Sequence, residues 1–201
     1  MNIARNLAEI QRKITQLEEK HQCRKGSVEL LAVSKTRTAE EIDVAVQAGQ
    51  QQFGENYCQE AMDKIMTLGG RELIWHFIGP VQSNKTRTIA EHFDWVHTVD
   101  RIKIAKRLNE QREPNPMPIN ICVQINISEE QSKSGIQLAE ADRFIQELQE
   151  FEHLVVRGLM ALPAPTNDFG EQRRAFAALR ECQQSLQAHY PELDTLSMGT
   201  T

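Results

Sequence analysis

The chain has 201 residues, 40% hydrophobic and 25% charged, with a formal net charge of −5. This composition suits a single globular domain, residues 1–201, large enough for a real core, and its acidic balance argues against any general attraction to nucleic acid or anionic lipid. No apolar run approaches the roughly 20 residues that span a bilayer, so no membrane helix is expected.

The first element is an amphipathic helix. Ile3, Leu7, Ile10, Ile14 and Leu17 recur at steps of three and four, the signature of one apolar helical face rather than of a signal peptide. A buried strand is expected over residues 28–34. A helix follows, with Thr38 as N-cap, Glu41 completing a capping box and Gly49 as its stop. Residues 51–54 read as a short second strand with a helix after it, and residues 72–79 as a third strand before a helix opening near Ser83. Residues 94–99 form a fourth strand, with Asp100 placed to cap the next helix. Residues 118–127 form a fifth, before a helix over about 137–151. Residues 154–162 form a sixth, before a long helix through Phe176, Leu179, Cys182 and Leu186. Residues 193–199 form a seventh.

Such strict alternation predicts parallel strands with helices outside them, and seven units in a row favour a (β/α)8 TIM barrel, here without sequence for the eighth strand, over an open doubly wound sheet. The first strand is not followed by GxGxxG, which removes the best sign of a dinucleotide site. The four cysteines are scattered, without CxxC spacing, so structural zinc and disulfides are not expected and a reducing cytoplasm fits.

In barrels the active site lies at the carboxyl ends of the strands. Those positions carry amines, amides, hydroxyls and glycines: Ser34 and Lys35, Glu55 and Asn56, Gln82 to Lys85, Asn126 to Ser134 including Lys133, and Ser197 to Thr200. Carboxylates are few there, with no pair placed for glycosidase chemistry and no GxSxG or HExxH. The ring suits a phosphorylated or carbonyl-bearing ligand.

Lys35, ending "LLAVSK", is the nucleophile candidate, because partial desolvation and nearby cations such as Lys85 and Lys133 would favour the free amine. Its competing reading is a rim lysine with no specific role. "SMGTT" is a candidate phosphate cradle, with Gly199 allowing close backbone approach and Ser197 and Thr200 supplying hydroxyls; an ordinary turn is the alternative. His76 and Cys122 read as core, Met160 as barrel packing within reach of a ligand, and Glu55 as a first-turn helix acid.

"WHFIGPVQSNKTRTI", together with "LLAVSKT", "FGENYCQE", "INISEEQSKSGI", "RGLMALPAP" and "DTLSMG", resembles the pyridoxal phosphate homeostasis protein family over essentially the whole chain. The resemblance implies a barrel of the alanine racemase N-terminal-domain type that holds pyridoxal 5′-phosphate (PLP) as a Schiff base on Lys35. It also implies phosphate contacts from Ser197, Gly199 and Thr200, with Asn56 and Lys133 near the cofactor. Its implied function is intracellular PLP and amino-acid homeostasis by a monomeric, cytoplasmic carrier or regulator. PLP-dependent apoenzymes are then candidate recipients.

Tyr57 and Tyr190 are poorly placed as the acid/base partner that a racemase needs, which favours binding over turnover. A fold-type III racemase or decarboxylase is the alternative enzyme reading, a class I aldolase using Lys35 a second, and a purely interacting protein a third. Members of that family continue with a helix and a strand resembling "VRIGT". Without them, the first and seventh strands are expected to be open edges through which chains could associate, and the terminal carboxylate to weaken phosphate binding.

Overall fold

A computed structural model describes residues 2–113, 115–128 and 134–199. The chain divides into two compact units, residues 1–76 and 77–201. Lys133 and Thr200 lie outside the described residues.

The first unit opens with α1 (Ile3–Lys20), which Asn2 caps by accepting the Arg5 N–H at 3.0 Å. Strand β1 is only Ala32–Val33, much shorter than residues 28–34. The cause lies in where the preceding backbone groups are used. Glu18, near the end of α1, accepts the N–H groups of Val28 (2.8 Å) and Gly26 (3.1 Å). The Gln50 side-chain amide donates to the Leu30 carbonyl at 2.8 Å. Groups already committed to side chains are not available to a ladder.

Helix α2 (Ala39–Gln47) starts at the expected capping box, with Thr38 Oγ1 accepting from Glu41 and Glu41 accepting from the Thr38 N–H. Gly49, at φ +93°, ends it. Strand β2 (Gln52–Glu55) pairs parallel with β1, Ala32 level with Phe53 and Val33 with Gly54. Helix α3 is Cys58–Thr67, and β3 (Ile74–Phe77) starts beside β2, where the Ile74 N–H donates to the Gln51 carbonyl. The Phe53 and Trp75 rings pack tilted with centroids 5.7 Å apart, and His76 is buried, as a core histidine should be.

In the second unit α4 (Thr86–His92) begins three residues later than expected, after a turn at 83–85. Strand β4 (Trp95–Val99) leads to α5 (Ile102–Arg112). Asp100 does not cap α5, because its carboxylate accepts from the Arg101 Nε at 2.9 Å instead. Strand β5 (Ile119–Gln124) is followed by a 3-10 turn (Leu138–Glu140), α6 (Ala141–Leu148), β6 (Leu154–Ala161), α7 (Phe169–Leu186) and β7 (Thr195–Met198).

Strands β4, β5, β6 and β7 pair in parallel in chain order. Val96, Val99, Ile121, Val123 and Leu159 are fully buried, as expected of strands covered on both faces. Cys122 lies among them, and burial pushes its thiol up to about 12, so it is inert core. Gly158 allows β6 and β7 to meet, since a Cβ there would come within 1.7 Å of the Thr195 carbonyl oxygen.

Candidate functional site

The ladder of the first unit runs one bond past β1. The Ser34 N–H donates to the Gly54 carbonyl at 2.9 Å, and the chain then turns, the Arg37 N–H donating back to the Ser34 carbonyl at 3.0 Å. Lys35 and Thr36 are the central residues of that turn. Thr36 has φ +63° at the position where glycine or asparagine is usual, an uncommon conformation for a β-branched residue. Lys35 is half-buried. One step past the last paired residues Ser34 is level with Glu55, while Lys35 is already in the turn. Asn56 is also half-buried; its Oδ1 is screened from solvent and makes no hydrogen bond with the described residues.

Beside the turn lies a buried ionic cluster. Glu55 is 0% exposed; its Oε1 accepts from Ser34 Oγ at 2.6 Å and from Lys64 Nζ at 2.8 Å. Lys64 Nζ also donates to the Ser34 carbonyl at 2.8 Å and to Glu60 Oε1 at 2.6 Å. Glu60 accepts the Thr36 N–H at 2.5 Å. Hydrogen bonding from Lys64 holds the Glu60 carboxyl below the usual carboxylate range.

Glu55 is therefore not a first-turn helix acid, as α3 begins only at Cys58 and the Glu55 side chain is committed inside the unit. Sequence reasoning also missed Lys64. Its signal was present: Ala61, Lys64 and Leu68, three and four residues apart, form one buried helical stripe.

In the second unit Met160 of β6 is buried and level with Ser197 of β7. Ser197 Oγ lies 2.6 Å from His97 Nδ1. Burial lowers the pKa of His97 to about 4, so the imidazole is neutral at neutral pH and holds the hydroxyl without adding charge. His97 was not singled out from the sequence. Gly199 follows β7, and a Cβ built there would meet open space. Lys35 thus lies in the turn after β1 and Asn56 just past β2 in one unit, while in the other Met160 and Ser197 are paired and Gly199 follows β7. Among the described residues no group of side chains could hold a metal ion, and no helix is long and apolar enough to cross a membrane.

Residues 5–201 match the family described as "Alanine racemase, N-terminal domain". The pyridoxal phosphate homeostasis protein of Haemophilus influenzae is 51% identical over 205 residues, covering 100% of this chain and 86% of that protein. The chain belongs to the pyridoxal phosphate homeostasis protein family. Solved structures agree on the fold. A protein of Bifidobacterium adolescentis superposes with TM-score 0.89 at 29% identity, covering 98% of this chain and 85% of that one. PipY of Synechococcus elongatus, solved with PLP bound, gives 0.81 at 34% identity, with 98% and 88% covered. The α/β architecture of this homeostasis family, with seven parallel strands and seven helices, the N-terminal one included, among the described residues, is that of the alanine racemase N-terminal domain.

Proposed function

We propose that the protein binds PLP and acts in intracellular PLP and amino-acid homeostasis, holding the cofactor as a Schiff base on Lys35. The observation that carries the reading is the Lys35 turn, a half-buried lysine at a strand end with its neighbours tied down on both sides. The similarity to homeostasis proteins and to a PLP-bound neighbour supports the same reading.

Within each unit the residues present have chemistry suited to part of the group. Lys35 supplies an amine, Asn56 Oδ1 an uncommitted acceptor, Ser197 a hydroxyl at a fixed place, and Gly199 backbone approachable from open space. Ser197, Gly199 and Thr200 take the phosphate in this proposal, while Asn56, Met160 and Lys133 contact the remainder. When bound, PLP supplies an aldehyde that condenses with a primary amine and releases water.

The protein acts as a cytoplasmic carrier or regulator, with PLP-dependent apoenzymes as recipients. Tyr57 is 59% exposed and precedes α3, a poor position for a buried acid/base group, which supports binding over turnover.

The test is the visible absorbance of the protein mixed with PLP, followed by borohydride reduction and mass analysis, in wild type and Lys35→Ala. Wild type is expected to give a Schiff-base band and a reduced adduct on Lys35, and the variant neither. An equal adduct yield in Lys35→Ala would falsify the assignment.

A further inference from the structure

Lys64 has no part in the chemistry proposed above, yet its side chain is 5% exposed and its ammonium makes three hydrogen bonds. Each acceptor leads to the turn that carries Lys35. The Ser34 carbonyl belongs to the turn itself. Glu55 accepts the Ser34 hydroxyl as well, and Glu60 accepts the Thr36 N–H. The residues immediately before and after Lys35 are therefore both gripped by one cluster.

A buried lysine between two carboxylates is a weak device for stability, since apolar side chains of like volume do as well or better. What it supplies here is geometry. A left-handed conformation is costly for an L-residue and persists only where the surroundings hold it. At Thr36 the holding group is the Glu60 carboxylate, and Lys64 fixes that carboxylate in place.

We propose that Lys64 is a positioning residue for Lys35: by fixing Glu55 and Glu60 it holds the turn at 34–37 so that the Lys35 amine is presented in one orientation. The proposal rests on Lys35 being the lysine that carries PLP. Lys64 acts entirely through its neighbours and forms no bond to the cofactor.

Removing Lys64 alone would leave the Glu55 carboxylate buried without its cation, so the main variant is Lys64→Met combined with Glu55→Gln. Two quantities are read. One is hydrogen exchange of the Thr36 amide in the PLP-free protein, and the other is the rate of borohydride-trapped adduct formation with PLP. With near-ultraviolet circular dichroism unchanged, Thr36 exchange is expected to quicken and trapping to slow, each by about tenfold or more. Lys64→Arg, which keeps charge and donors, should recover part of both.

Glu60→Gln, at a half-buried position, serves if the double variant does not fold, and it should slow trapping severalfold. Wild-type Thr36 exchange and trapping in a folded double variant, or wild-type trapping in Glu60→Gln, overturns the proposal. Lys35→Ala, measured alongside, separates the two claims. An adduct that survives there overturns the Lys35 assignment. Loss of the adduct there, with unchanged trapping in the cluster variants, overturns the role of Lys64 alone.

Discussion

His97 makes the folded state sensitive to acid. Burial depresses its pKa from 6.5 to about 4, so in that window the unfolded chain binds a proton at residue 97 that the folded chain does not. Stability from this group is complete above pH 6.5 and is lost as pH falls toward 4, by roughly 3 kcal/mol in all. Urea midpoints measured across that range should therefore fall more steeply in wild type than in His97→Gln. Parallel slopes would show that another group titrates.

Packing decides the outcome at the level of elements. Strands β6 and β7 approach so closely at Gly158 that a methyl group cannot be added without moving the Thr195 carbonyl. Gly158→Ala is expected to destabilise the fold by about 1–3 kcal/mol and to displace β7, with Ser197 on it and Gly199 just after it. A calorimetric midpoint unchanged from wild type would refute this. The strand ends show why boundaries read from sequence ran long. Val28, Leu30 and Leu31 look like strand, but the Val28 N–H goes to Glu18 and the Leu30 carbonyl to Gln50, partners 10 and 20 residues away that periodicity does not register. Capping of α2 was legible because both partners lie within one turn, three residues apart. Capping of α5 was misread because Arg101, the residue next to Asp100, competes for its carboxylate.

Across the whole chain the alternation of β and α elements was legible throughout, since each element carries its own period and its own stops. The strand ends that carry Lys35 and Asn56 were also legible, since an apolar run stops at each. The buried cluster beside them was not, because Lys64 and Ser34 are 30 residues apart and a helical lysine ordinarily belongs to a solvated face.

One feature of the second unit reaches beyond its architecture to its assembly. Its strands pair in chain order, so each strand leaving the ribosome finds its partner already made, and no strand waits for a later one to be inserted beside it. Parallel pairs are costly to start because a crossover must close first, but here every closure spans only a single β/α unit. Pulse-labelled hydrogen exchange during refolding should protect β5 and β6 before β7; simultaneous protection of all three would contradict stepwise growth. A nascent chain that has just completed β6 displays that strand's free edge until β7 arrives, and in that interval it is most exposed to pairing with another chain.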